Sequence, residues 1–477
     1  MEPRLKLKET LTDNLTLSST DGQHEAVTQV VPGITVRQKA ARSTLNVDYA
    51  LQGLIYANEP ANNGVYHKLS GNASQQLVEE HLSLAEMASI TQQIINPRLP
   101  VPTDNINPGN VTNVVSYSVA PEARGSLGGV GDMNLKYRFG DVHYLDTDAA
   151  SDSTLEDVAV NLVNGKGISR LSWNADYHKS VTDRSQGPNT HLESSYASLR
   201  YNLSQGWYMY AAGGRENNDL PSAQTIQNGS YWRSGLGWAP GPDFSIQASY
   251  GDLSKEAALN WTPLTRTFLT VTYLNQDVGV NPGITWSGTF RHRSPNTTWQ
   301  AGYSEQAINV QRLDLTGQSL FVLVDATGNP ILDPTTGQPI LVLSNDFTLT
   351  DQDFIRKRGS VSLSATSAFT VSGLELFDET RVYQISGGSE QSKGITGTFV
   401  WKYASRTSLR LSGTLSSWSS DTIVGSDRLD QERAGLVRNI GPRVTGSVDY
   451  VHGARRAADP QRSYEENRIE AELTKHW

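Results

Sequence analysis

Apolar and polar residues alternate along this chain with a period of two, from one end to the other. In the segment 408–415, for example, Leu409, Leu411 and Leu415 alternate with serine, arginine and threonine residues. Successive side chains of a β-strand point to opposite faces, so each such segment predicts a strand with one apolar and one polar face. The same alternation recurs at 45–51, 133–139, 171–177, 244–250, 299–303 and 395–403.

An all-β chain of 477 residues with such two-faced strands has few ways to cover its apolar faces. The sequence shows neither the repeat of a propeller nor the short rungs of a β-helix. In lipid every backbone N–H and C=O must be paired, and a closed barrel achieves this by removing the sheet edges. The apolar fraction of 37% and the mean hydropathy of −0.44 suit a barrel, because only every second residue meets lipid. No run of apolar residues is long enough for a helical membrane span.

Connections between the predicted strands alternate in length, which is the outer-membrane pattern of short periplasmic turns and long extracellular loops. Short turns are predicted at 40–42, 164–165, 204–206, 240–242, 262–264, 294–296, 405–406 and 440–442, and longer loops at 58–64, 182–189, 217–228 and 454–462. The sequence therefore predicts a transmembrane antiparallel up-and-down β-barrel of about 24 strands, with a range of about 22–26. We expect residues 1–477 to form this one domain in the outer membrane, surrounded by its lipid.

Two regions fit the strand pattern less well. The segment Gln75–Gln93 can be read as a helix, but we favour two strands that turn at Glu79–His81. The segment Leu313–Thr350 is longer than the other connections and contains the near-duplicates 327–332 and 336–341. We predict a β-hairpin insertion on the long-loop side, which either extends above the membrane or folds inward as a constriction.

Aromatic residues crowd the short-turn ends of the predicted strands, among them Trp207, Trp238, Trp299 and Tyr403. This placement favours an aromatic girdle at the membrane–water boundary over the general strand preference of aromatic residues. In the last strand Ile469, Ala471, Leu473 and Trp477 alternate with polar residues. Ile469, Leu473 and the terminal Trp477 resemble the signal that the barrel-assembly machinery reads, which makes that machinery an expected partner.

Charged residues in the polar phase of the strands are expected to face the barrel lumen, because a charge on the lipid face costs about 2–4 kcal/mol at mid-membrane. This predicted set comprises Lys136, Arg138, Arg170, Arg200, Arg266, Arg291, Arg293, Lys402, Arg410, Arg443 and Arg468, with the acidic residues Asp176, Asp449, Glu470 and Glu472. Two interpretations stay open: a ladder of salt bridges that braces the wall, and a charged surface that guides a polar cargo.

Catalytic and metal-binding motifs are missing from the sequence. Cysteine is absent, there is no Gly-x-Ser-x-Gly or His-Glu-x-x-His, and His178 with Asp176 is the nearest grouping that resembles a metal site. Acidic pairs such as Asp378-Glu379 and Glu465-Glu466 lie beside predicted strand ends, and no other motif supports acid–base work by them. We predict no enzyme activity, no cofactor and no metal, and the net charge of −9 without a basic block argues against nucleic acid. Because Met1-Glu2-Pro3 runs directly into strand-like sequence, we expect that an export signal has been removed.

Four segments resemble the PEP-CTERM-system-associated outer-membrane protein family: 11–17, 31–34, 45–49 and 332–340. Members are encoded near exopolysaccharide and protein-sorting genes, so the resemblance implies a place in envelope biogenesis. It implies no catalytic residues. Partly on this basis we place a strand break at Pro32 and Gly33.

These observations favour a passive outer-membrane channel of envelope biogenesis that passes exopolysaccharide or another polar cargo, with polysaccharide and periplasmic export proteins as candidate partners. The alternatives are a structural sheath or scaffold around a periplasmic or lumenal partner, and a general diffusion porin. Barrels of about 16–18 strands already leave a water channel, and larger ones are often plugged. The lumen is therefore expected to be open, or filled by loops such as 313–350 or by a partner protein.

Overall fold

The computed structural model describes residues 1–101, 105–107, 109–145, 147–165, 170–222, 227–316, 320–322, 341–343, 347–422 and 425–477. The strands in these residues are β1 Glu2–Thr12, β2 Glu25–Lys39, β3 Ser43–Tyr56, β4 Gly64–Val78, β5 Leu82–Ile94, β6 Val111–Ser126, β7 Gly131–Leu145, β8 Ser153–Asn164, β9 Leu171–Arg184, β10 Thr190–Asn202, β11 Trp207–Asp219, β12 Gly229–Gly241, β13 Phe244–Asp252, β14 Ser254–Leu264, β15 Thr267–Gln276, β16 Gly283–Arg293, β17 Thr297–Ile308, β18 Leu320–Val322, β19 Leu341–Leu343, β20 Phe354–Thr366, β21 Thr370–Tyr383, β22 Ser389–Ala404, β23 Thr407–Ser420, β24 Ser426–Gly441, β25 Val444–Arg456 and β26 Tyr464–His476. One α-helix, α1 Val310–Thr316, and two 3-10 turns, Pro60–Asn62 and Pro460–Arg462, complete the described elements.

Twenty-four of these strands form one antiparallel sheet that closes on itself. Each strand pairs with its neighbours in the chain, and β17 pairs with β20 across the connection 309–353. The ring closes between the first and last strands, where Arg4 lies opposite His476 and Thr12 opposite Arg468. The strands β18 and β19 form a separate two-stranded sheet. The predicted antiparallel barrel of about 24 strands is confirmed.

The two ends of the barrel differ in their connections. At one end, here called the turn end, the strands are joined by short turns such as 405–406 and 442–443, and both chain termini lie there. At the other, the loop end, the connections include 13–24, 95–110 and 309–353, although β13 and β14 are joined there by residue 253 alone. The turn predicted at 262–264 lies at 265–266, because β14 continues to Leu264.

Two local predictions are decided by the strand pairing. The segment Gln75–Gln93 contains the ends of β4 and β5 and their turn at 79–81, so the prediction of two strands is confirmed and the helical alternative is wrong. The break predicted at Pro32 and Gly33 is wrong, because β2 runs through both residues. Pro32 has no N–H to donate, but it still lies opposite Leu5 of β1, and the pairing with β3 resumes in unchanged register at Gly33.

The outer face of the ring is apolar and the inner face is polar. Large apolar residues such as Leu199, Trp286, Val361 and Leu436 are exposed on the outer face, while the residues between them point inward. Aromatic rings meet on the outer face near the turn end: Trp207 and Trp238 lie 6.4 Å apart between ring centroids, and Trp401 and Tyr403 lie 5.7 Å apart. A closed sheet with an apolar exterior belongs in lipid, and the molecule is an outer-membrane β-barrel.

Within the described residues, no helix is both long and apolar enough to cross a membrane.

Candidate functional site: the barrel interior

Ion pairs link neighbouring strands on the inner wall around the closure of the ring. Lys6 and Lys8 of β1 lie 3.1 Å from the carboxylates of Glu472 and Glu470 on β26. Glu470 also accepts from Arg433 of β24 at 2.8 Å. The closure is therefore braced by inward charge pairs as well as by the backbone ladder.

A second cluster of charges lies on β20 and β21. The carboxylate of Glu379, whose side chain is 3% exposed, accepts from Arg356 at 2.8 Å, Arg358 at 3.0 Å and Arg381 at 2.9 Å. The guanidinium of Arg381 also stacks on Phe347, 3.9 Å from the ring centroid. Three bases around one buried carboxylate hold this part of the wall and the segment that carries Phe347 together.

The helix α1 lies inside the barrel near the loop end. It belongs to the connection between β17 and β20, yet its Leu315 fills the space beside Gly140 of β7, where a Cβ would overlap the leucine side chain. β7 is almost opposite β17 in the order of the ring. One apolar cluster reaches across the interior and contains Val114, Val142, Tyr144, Ala150, Leu155, Ile308, Val310, Leu313, Leu315, Leu349, Phe354 and Tyr383.

Polar contacts fasten both sides of this in-folded connection to the wall. Asp353, at its end, accepts from Arg184 at 3.2 Å and from Thr190 at 2.7 Å, on β9 and β10. At its start, Arg312 pairs with Asp157 of β8. The insertion predicted at 313–350 thus folds inward at 313–315 and 347–349, where its contacts with the wall are described. The near-duplicates 327–332 and 336–341 lie outside the described residues except Leu341, so the predicted hairpin can be compared only with the pairing of β18 and β19.

The connection 95–110 also folds into the mouth at the loop end. The backbone carbonyl of Ile106 accepts from Tyr56 of β3, and that of Val101 accepts from Tyr464 of β26, both at 2.7 Å. The backbone N–H of Leu349 donates to the carbonyl of Ile95 at 3.0 Å, which joins the two in-folded connections. Together they narrow the loop end of the interior.

The turn end of the interior is open to solvent by contrast. Six bases point inward within a few residues of this end: Arg37 and Lys39 of β2, Arg200 of β10, Arg291 and Arg293 of β16, and Lys402 of β22. We call this set the basic mouth. In the part of the chain that the structure describes, none of the six has an ion pair with a carboxylate, and all except the half-buried Arg200 are exposed.

The predicted lumen-facing residues fall into two groups. Those on strands in the inward phase are Lys136, Arg138, Arg200, Arg291, Arg293, Lys402, Arg410 and Arg468. Arg170, Arg266 and Arg443 lie in short connections, one residue before β9, β15 and β25 begin, and not on the wall itself. Because alternation determines the direction of a side chain only within a strand, their direction towards the lumen stays a prediction.

The acidic residues have partners that exclude the chemistry considered for them. Asp378 and Glu379 are consecutive on β21 and point to opposite faces, so they cannot act as an acid–base pair. Asp176 accepts from Asn161 and Asn174, both at 2.6 Å. Across the described ranges no group of three or more His, Cys, Asp or Glu residues could hold a metal ion.

Sequence reasoning missed several residues of the interior. Arg356, Arg358 and Arg381 stand in the inward phase of their strands, so the alternation that identified Arg410 could also have identified them. The contacts of Asp353 and the in-folding of 95–110 have no comparable signal, because their partners lie on other elements, such as Arg184 and Tyr464, far away in the chain.

No protein-family model and no curated protein matches this chain. Several solved structures are similar over its length. The siderophore receptor PirA from Pseudomonas aeruginosa is 10% identical, with 100% of this chain and 80% of that chain covered and a TM-score of 0.41. The FrpB iron transporter from Neisseria meningitidis (F5-1 variant) is 8% identical, with coverage of 100% and 81% and a TM-score of 0.46. OmpT of Vibrio cholerae is 8% identical, with coverage of 70% and 99% and a TM-score of 0.27. These TM-scores are low, and the architecture rests on the chain's own strand pairing.

Proposed function

We propose that this barrel is a channel of envelope biogenesis that passes a polar polymer, an exopolysaccharide, across the outer membrane. One observation carries the proposal: the interior is lined by polar and charged residues and is open to solvent at the turn end, while two in-folded connections narrow it at the loop end. A ring of this many strands is wide enough for a water-filled lumen. The choice of exopolysaccharide among polar cargoes rests on the sequence resemblance alone.

Conductance in planar lipid bilayers tests the channel. The full chain is compared with a variant in which a short Gly-Ser linker replaces residues 313–350. Because Ile308 and Phe354 lie directly opposite each other on β17 and β20, this deletion leaves the barrel strands in register. We expect small or intermittent currents from the full chain and larger steps from the deletion, since Leu313, Leu315 and Leu349 leave the interior. A tight electrical seal in both proteins would contradict the proposal.

The cargo is tested in cells. A strain lacking the chain should secrete less polysaccharide and take up small sugars at the normal rate. Normal secretion with slow uptake would instead favour a general porin. The sheath would be favoured by a different pair of results: secretion is normal, and one periplasmic protein is recovered from native membranes with the barrel in stoichiometric amount.

A further inference from the structure

The two ends of the interior differ in charge as well as in shape. Around the turn end, the stretch from β14 to β25 contributes Arg266, Arg291, Arg293, Lys402, Arg406, Arg438 and Arg443, all within a few residues of a turn. No aspartate or glutamate accompanies them in the turns of this stretch, 265–266, 294–296, 367–369, 405–406 and 442–443, which the structure describes in full. The whole chain nevertheless carries a net charge of −9. Within this stretch, the turn end of an acidic molecule therefore carries an excess of positive charge.

Most inward acidic groups at this end are already neutralised. Asp48 accepts from Arg4 at 2.6 Å, Glu122 accepts from Arg124 at 2.8 Å, and Glu472 lies 3.1 Å from Lys6. Glu2 at the start of β1 and Asp132 at the start of β7 are further acids in the inward phase near this end. Arg37 of the basic mouth also attracts the carboxylate of Asp48. The other five bases of the basic mouth outnumber these two acids, so the field at this opening is positive.

The position of these bases excludes a role at the membrane surface. Arg291 and Arg293 alternate with the outward-facing Trp286 and Phe290 on β16, so their guanidinium groups point into the lumen. Arg438 and Lys475 lie near the same end, but they are in phase with Leu436 and Leu473 and point outward. Arg438 and Lys475 can therefore reach lipid headgroups, whereas the basic mouth faces a solute that enters the lumen.

We infer that the basic mouth binds a polyanionic polysaccharide, one that carries a carboxylate on its sugar units, as it enters the barrel from the turn end. The inference rests on the proposed channel function and specifies the charge of its cargo. Several guanidinium and ammonium groups spaced around the opening at β2, β10, β16 and β22 can meet successive carboxylates of one chain. Exposed charges act over about a Debye length, so the interaction weakens as salt is added.

Fluorescence anisotropy on the full chain in an uncharged detergent tests this inference without requiring current. The probes are a labelled alginate oligosaccharide, with one carboxylate per sugar, and a labelled neutral dextran oligomer of equal length. We expect the full chain to bind alginate at low salt and to lose affinity as salt rises, with dextran binding weakly at any salt. The double variant Arg291→Glu/Arg293→Glu should bind alginate at least about tenfold more weakly.

The matched control is Arg438→Glu/Lys475→Glu, which makes the same charge change at the same end but on the outer face. It should bind alginate within about twofold of the unmodified chain, because its charges are separated from the lumen by the wall. Equal binding of alginate and dextran, or equal losses in the two double variants, would overturn the inference. If that result came with normal bilayer currents, it would contradict the anion site but not the channel function. Alginate binding by a chain that shows a tight electrical seal would contradict the channel function but support the anion site.

Discussion

Buried charges on the inner wall are stabilised by several partners at once. Glu379 is the clearest residue, since its carboxylate meets three guanidinium groups and is almost fully buried. Removing one partner of a buried ion pair leaves uncompensated charge in a region of low polarity, which is far more costly than the loss of an exposed pair. Breaking an ion pair of a given geometry therefore lowers the stability of the protein more when the pair is buried than when it is exposed.

Glu379→Gln is expected to lower the free energy of unfolding by about 3–5 kcal/mol, because three arginines lose their common counter-charge. Urea titration of the chain in lipid vesicles, followed by tryptophan fluorescence, measures this change. The control is Glu79→Gln: Glu79 contacts Arg42 at 2.6 Å, but the two side chains are 67% and 60% exposed. Its loss should be below about 1 kcal/mol. Similar losses in both variants would show that burial does not set the strength of these pairs.

At the scale of elements, the described parts of the connection between β17 and β20 are held to the wall mainly by side-chain contacts and not by a backbone ladder. Asp353 gathers Arg184, Thr190 and Asn309 on one side of the interior. Apolar packing of α1 against β6 and β7 holds the other side. A connection held mainly by side-chain contacts opens at lower free energy than the paired strands that carry it.

Asp353→Ala should loosen the in-folded connection without unfolding the barrel, because the strand register of β17 and β20 does not depend on this side chain. We expect longer and more frequent open events in planar bilayers than for the unmodified chain. The control is Asp459→Ala, in the connection between β25 and β26, where Asp459 accepts from the backbone N–H of Gln461 at 3.0 Å. Unchanged opening in Asp353→Ala would mean that the other contacts of the connection, such as that of Arg312 with Asp157, hold it without Asp353.

At the scale of the whole molecule, one rule applies to every strand: alternate residues meet lipid while their neighbours face the lumen. Val361 and Ser362 of β20 illustrate the rule as consecutive residues on opposite faces. Val361 lies between Ala301 and Leu376 on the outer face, and Ser362 lies opposite Glu375 on the inner face. The closed ring makes the rule strict, since no edge remains where a strand could turn over.

Val361→Lys should reduce the free energy of unfolding in vesicles by about 2–4 kcal/mol, because the ammonium group enters lipid. Ser362→Lys should change it by no more than about 1 kcal/mol, since the new charge faces the lumen beside Glu375. Heat-modifiable gel mobility and urea titration measure the folded fraction of both. If the two lysine substitutions lower the free energy of unfolding by the same amount, the two faces of the sheet do not differ in environment.

The sequence by itself determined the architecture and the direction of most wall residues. Alternation is a local property of each strand, and neighbours in the chain are neighbours in the ring, so the barrel, its approximate strand number and the inward phase of Arg291, Arg410 and Arg468 followed from short segments. Alternation did not locate the strand ends next to Arg266 and Arg443, because it does not mark the residue at which pairing stops.

Only the tertiary structure decided which lumen residues are buried and which remain in water. Segments that are distant in sequence meet in the interior, and their contacts decide these features. Examples are the burial of Glu379, the contacts of Asp353, and the packing of Leu315 beside Gly140. The closure of β1 on β26 is equally non-local. A pattern within one strand carries no information about what lies opposite it, so the open basic mouth and the narrowed loop end emerge only when the ring is complete.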